Sequence, residues 1–184
     1  AGIRPGVPFL AAGVGETYGP PGAAGIARAL TGLGKGVAVL TDEASYAITQ
    51  AACTLHAPEA EVLFIPHEGA GAACATVMEA RRPDCIIAIE RPGRCRGHYR
   101  NSKGLDISAR VADTDSFFAP GTAVTVGIGD GGNELGMGSL RDTILAHVPN
   151  GAEIAADLGC HFPLAAGVSN WWAWGLQALL SVAY

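Results

Sequence analysis

Six short runs, VPFLAAG, GVAVLT, AEVLFIP, DCIIAIE, TAVTVGIGD and FPLAAG, are almost continuously apolar and end in glycine, proline or a polar residue. A strand with one wet face alternates polar and apolar residues, whereas unbroken runs of this length are strands covered on both sides. Between them lie stretches with helical periodicity: Ile26, Leu30 and Leu33 on one face, then Ala44 to His56, Gly69 to Arg82, a segment near Glu134 to His147, and an apolar helix from Ser169. Alternating strands and helices predict a three-layer α/β/α sandwich with a mostly parallel sheet, one domain over residues 1–184. Ligands of such folds sit outside the carboxyl ends of the strands.

Composition narrows the function classes. With 12 basic against 17 acidic residues and a formal charge of -5, the chain has no electrostatic footprint for nucleic acid. Its apolar runs are interrupted well short of the roughly 20 residues of a membrane span. The start, AGIRPGVPFLAAG, lacks the charged and hydrophobic blocks of a secretory signal. The five cysteines contain no CxxC pair and read as reduced thiols of a cytoplasmic protein. The expected partner is a small molecule, with no nucleic acid or membrane, and self-association is left open.

The strand ends collect the polar residues. GETYGPPG carries Glu16 and Thr17 before a proline-opened helix, a turn with bare amides at its N-terminus. DCIIAI runs into Glu90 and Arg91, a carboxylate suited to an ammonium and a planar fork suited to a carboxylate. TVGIG runs into Asp130, Gly131, Gly132, Asn133 and Glu134, with Asn133 expected to cap the next helix. After FPLAAGV come Ser169, an expected N-cap, and Asn170, an expected ligand contact, followed by tryptophans expected to pack the last helix. The long stretch from Arg91 to Pro120 is the natural lid, with Asn101 and Asp106 its best site candidates.

Taken together, GETYGPPGAAGIARAL, IAIERPGRCRGHYRNSKGLDIS, VGIGDGGNELGMGSL and LAAGVSNWWAWGL resemble the D-glutamate cyclase family, in the same order along nearly the whole chain. The resemblance implies a hydro-lyase that closes D-glutamate to 5-oxo-D-proline with loss of water, in the mitochondrial matrix if the source is eukaryotic. Two positions depart from the family pattern. Tyr18 stands where the pattern favours Asp, and Trp172 where it favours Gly. The alternative reading is a small amino-acid or carboxylate-binding domain, non-catalytic or altered in specificity, that has lost the Asp at position 18.

Ring closure asks an ammonium to lose a proton and a carboxylate to become an electrophile, a task for paired carboxylates in unlike environments. Glu16, Glu90, Asp130 and Glu134 are the candidate catalytic set, with Asp106 a further acid. Glu90 or Asp130 is the expected base, and Glu134 or Glu16 the acid. Arg91 is expected to hold the substrate carboxylate, with Thr17, Asn101, Asp106, Ser169 and Asn170 around it; Asn133 and the amides of Gly131 and Gly132 face the oxyanion. No cofactor is required. So many acids also suit a divalent cation, Mg²⁺ or Mn²⁺, although no close-set ligand spacing marks a metal site.

Overall fold

The computed structural model describes residues 17–121 and 123–184. The expected first strand, VPFLAAG, and the candidate acid Glu16 lie outside the described residues. Helix α1 (Pro20–Gly32) starts on two prolines, at positions where a missing N–H costs nothing, behind Gly19 at φ +95°. There follow β1 (Ala38–Asp42), α2 (Glu43–His56), β2 (Glu61–Ile65), α3 (Ala70–Arg81) and β3 (Cys85–Ile89). The segment from 91 to 120 holds a two-residue hairpin, β4 (Arg94–Cys95) and β5 (His98–Tyr99), and 3₁₀ turns at Ser108–Arg110 and Asp115–Phe118. The chain closes with β6 (Val124–Gly129), α4 (Arg141–His147), α5 (Gly151–Ile154), β7 (Phe162–Ala165) and α6 (Ser169–Ala183).

The long strands pair in parallel, as their two-sided apolar character requires. β1 pairs with β2 from Ala38↔Glu61 to Asp42↔Ile65. β6 lies between β3 and β7, in register at Ile89↔Ile128 and Gly129↔Ala165. Side-chain alternation then builds the layers. Val39 packs with Ala27 of α1 and Ala57 at the end of α2, while its neighbour Leu40 packs with Ile65, Ala70 and Cys74 toward α3. Along β6, Val126 and Ile128 meet Ile26 of α1 and Ala173 of α6; Ile128 is fully buried, and burying such a side chain stabilises by about 1.5–3 kcal/mol.

Among the described residues, the segment 134–136 covers the other face of β6. A Cβ on Gly127 would lie 2.8 Å from the Leu135 carbonyl and 3.0 Å from Gly136 Cα, and one on Gly129 would lie 2.6 Å from Glu134 Oε2. Glycines normally weaken a strand, but here they let the backbone of residues 134–136 lie directly on the sheet.

Three local expectations are corrected. The helix expected near Glu134 starts at Arg141, after a 3₁₀ turn at Gly138–Leu140, because Gly132 and Gly136 adopt φ of +94° and +97° that a right-handed helix does not allow. Asn133 therefore caps no helix. Ser169 is the first helical residue of α6, with Val168 at the cap position. Of the three tryptophans only Trp172 packs inward, its indole N–H donating to the Ala165 carbonyl at 2.7 Å, while Trp171 and Trp174 are exposed.

Candidate active site

The chain leaves β3 through a left-handed residue. Glu90 has φ +53°, a conformation that costs a non-glycine residue roughly 1–3 kcal/mol unless its surroundings enforce it. They do so from both sides: the Glu90 amide donates to the Ile128 carbonyl at 2.9 Å, and its carboxylate accepts from the buried Ser169 hydroxyl at the start of α6. Beyond it, residues 92–93 pair with the turn after β6. Gly93 N–H donates to Asn133 O at 2.9 Å and Leu135 N–H to Arg91 O at 2.7 Å, a short antiparallel bridge that brings Glu134 beside Glu90.

The Asp130 to Glu134 turn folds around its own last side chain. Glu134 Oε1 accepts from the amides of Gly131 at 2.7 Å and Asp130 at 3.2 Å, and Oε2 accepts from Gly132 at 2.7 Å. Any side chain on Gly131 or Gly132 would be crowded out: a Cβ at 131 would lie 2.8 Å from Asn133 Oδ1, and one at 132 would lie 2.9 Å from Ile144. The amides of Gly131 and Gly132, expected to face an oxyanion, are therefore turned onto Glu134.

One carboxylate oxygen from each of Glu90, Asp130 and Glu134 lies within 4.8 Å of the other two. Glu90 and Glu134 are 7% and 2% exposed, and Asp130 faces solvent. Burial first, and then the neighbouring Glu134 charge, raise the Glu90 carboxyl to about 8, against the pull of the Ser169 hydroxyl. Burial also pushes Glu134 up, opposed by the backbone amides aimed at it. Three N–H donors on one carboxylate favour its ionised form, whereas Glu90 accepts a single hydroxyl. The three amide donors on Glu134 thus favour Glu90 as the protonated member of the pair. The oxygen spacing also suits one hard divalent cation, Mg²⁺ or Mn²⁺, bound through oxygens at about 2.0–2.6 Å.

The remaining candidates fall around this cluster or away from it. Asn170 ties α6 to the α1 turn: its Oδ1 accepts from Gly19 at 3.0 Å and Gly22 at 3.2 Å, and its Nδ2 donates to the Thr17 carbonyl at 3.4 Å. Asn133 donates to the Arg100 carbonyl at 3.0 Å, drawing the 100–105 turn toward Gly131. In that turn Asn101 Oδ1 accepts from the amides of Lys103 and Leu105, both at 3.0 Å. Asp106 is exposed, paired with His98 at 2.9 Å and accepting from Ser108 N–H at 2.9 Å; the Ser108 hydroxyl and amide, and then His98, hold its carboxyl low. Both residues close their loop.

Arg91 points away from the cluster. Its Nη1 donates to Asp42 Oδ2 at 2.6 Å, its Nε to Thr114 Oγ1 at 2.9 Å, and its Nη2 to the Ala112 carbonyl. The fork expected to hold substrate is committed to the end of β1. Sequence reasoning missed this partner, although Asp42 ends a strand and precedes a helix, a position that commonly holds a polar ligand or cap. It also missed the knot of Tyr99, whose hydroxyl lies 2.7 Å from Asp113 Oδ1 and 3.1 Å from Asp115 Oδ1. A cavity of about 900 Å³ between β1 and β3 is walled largely by apolar residues such as Ile26, Leu30, Val39 and Ile87; none of the three clustered acids lines it. The carboxylates, not the cavity, mark the chemistry.

The chain is similar to known proteins over nearly its whole length. Residues 3–184 match a family model described as D-glutamate cyclase-like, C-terminal. The chain is 33% identical over 186 aligned residues to the human protein named D-glutamate cyclase, mitochondrial, covering 92% of this chain and 30% of that protein's length.

Proposed function

The chain belongs to the D-glutamate cyclase-like family, and on that premise we propose that it is a hydro-lyase converting D-glutamate to 5-oxo-D-proline and water. The observation that carries the reading is the meeting of Glu90, Asp130 and Glu134 within 4.8 Å, two of them buried. Crowded carboxylates of unequal burial supply a proton donor and a proton acceptor side by side at neutral pH.

Glu90, protonated, is the acid at the substrate's γ-carboxylate. Asp130, exposed to solvent, is the base toward the α-ammonium. Glu134 stays ionised, holds the turn and keeps the proton on Glu90. In the first step Glu90 protonates a γ-carboxylate oxygen while Asp130 takes one proton from nitrogen. The amine then attacks the γ-carbon, forming the C–N bond. The second nitrogen proton returns to Glu90, the proton on Asp130 passes to the departing hydroxyl, and the C–O bond breaks to release water. Both carboxyl groups end as they began, and holding the reacting atoms in contact supplies much of the acceleration. No cofactor is needed for this sequence. Mg²⁺ or Mn²⁺ held by Glu90, Asp130 and Glu134 would supply Lewis-acid polarisation of the γ-carboxyl.

The test is incubation with D-glutamate and, separately, L-glutamate, with 5-oxoproline followed by chiral chromatography in the presence and absence of a chelator. Formation of the D product from D-glutamate supports the reading, and its absence with and without added metal rejects it. A second reading, an amino-acid-binding domain without turnover, is favoured by Tyr18. D-glutamate binding by calorimetry without product would support it, and recovery of turnover in Tyr18→Asp would assign the loss to that position.

A further inference from the structure

Helix α6 is a second place where the protein departs from what its sequence invites. From Ser169 to Tyr184 it contains no Asp, Glu, Lys, Arg or His. One face is anchored: Ala173 is buried against Ile26 and Ile128, with Trp172 and Leu176 beside it. The opposite face, Trp171, Trp174, Ala178 and Val182 at intervals of three and four residues, with Leu179 at its margin, is turned outward. That spacing is the seam of a helix that packs on another helix.

From this face we infer that a second copy of the chain packs against α6, the two helices running antiparallel about a twofold axis. The area is sufficient. Trp171 is 59% exposed, Trp174 49%, Leu179 60% and Val182 87%, so at ~200 Å² per large side chain they present about 500 Å² per copy, or about 1,000 Å² for two, the threshold of a specific interface. The chemistry is self-complementary. A surface without charge needs no opposite charge in its partner, and aromatic enrichment with charge depletion characterises the centre of interfaces between identical subunits. The small residues Gly175 and Ala178 lie between the tryptophans and Leu179, leaving room for a facing indole. A lipid surface fits less well, because helices that lie on membranes carry basic residues beside their apolar face and α6 has none.

Sedimentation equilibrium of the 184-residue chain from about 1 to 100 µM tests the inference, since association depends on concentration. The expected result is a species of twice the 18.7-kDa chain mass, with tryptophan emission moving to the blue as the protein is concentrated. Leu179→Glu is expected to weaken association about 100-fold or more and to abolish the emission shift, because each copy would bury an unpaired carboxylate. Trp174→Ser provides a second variant at an exposed position. A wild-type chain that stays at single mass across this range overturns the inference and leaves the face to another segment of a longer polypeptide. A dimer that persists unchanged in both variants overturns it equally, by placing the contact elsewhere.

Discussion

The rim of β3 and β6 and the segment from 91 to 115 are both rich in acids, yet they hold them differently. In the 91–115 segment, acids meet basic side chains: Arg91 with Asp42 of β1 at 2.6 Å, Arg94 with Asp113 at 2.5 Å, and the His98 ring with Asp106 at 2.9 Å. At the rim Glu134 is held by backbone amides and Glu90 by one hydroxyl, and the carboxylates face one another. Pairing with a cation keeps an acid ionised and fixes a loop; crowding with another acid keeps one of them protonated and ready to transfer. The residue types are shared, and the surroundings divide acids that fix a loop from acids that crowd one another.

This division can be broken at several points. Glu90→Gln should reduce 5-oxoproline formation by about 10³-fold or more while leaving a folded protein, because only the transferable proton is lost; turnover assays with a circular dichroism control read both, and an active variant would remove Glu90 from the chemistry. Arg91→Ala should destabilise by about 3–5 kcal/mol in urea unfolding, because Asp42, with its side chain 6% exposed, is left without its partner. A change in KM at unaltered stability would return Arg91 to the substrate. Gly129→Ala should cost about 2 kcal/mol and lower kcat, since its Cβ would lie 2.6 Å from Glu134 Oε2.

Stability should also depend on pH through Glu90. Its carboxyl is raised from 4.5 to about 8 in the folded state, so between these values the folded protein binds more protons than the unfolded chain. The contribution of Glu90 is fully present below pH 4.5 and is lost as pH rises toward 8. Urea midpoints measured across that window should fall in the wild type and flatten in Glu90→Gln; parallel curves would place the proton elsewhere. The smallest effect is expected for Asp106→Asn, which should leave both turnover and Tm nearly unchanged, and a large loss of activity there would erase the distinction between the two regions.

Much of the architecture was legible because burial on both sheet faces leaves a plain record in runs such as CIIAI and VLFI. The acid cluster was legible for a related reason: Glu90 and Asp130 directly follow strands, and topology carries such positions to one rim. What could not be read was where each side chain turns. Nothing near Arg91 names Asp42, which lies 49 positions away and meets it only after β1 and β3 are placed. No helix starts at Glu134 because Gly132 and Gly136 take positive φ, which overrides the apolar spacing. The tryptophans of α6 read as interior because large aromatics usually bury themselves, a tendency that sequence alone cannot separate from burial against a partner.

The bare positions of β6 have a mechanical consequence. Gly127 and Gly129 place the Glu134 turn in contact with the strand itself, with no intervening side chains whose rotamers could absorb a shift. Movement of the sheet is thus transmitted to the carboxylate without slack.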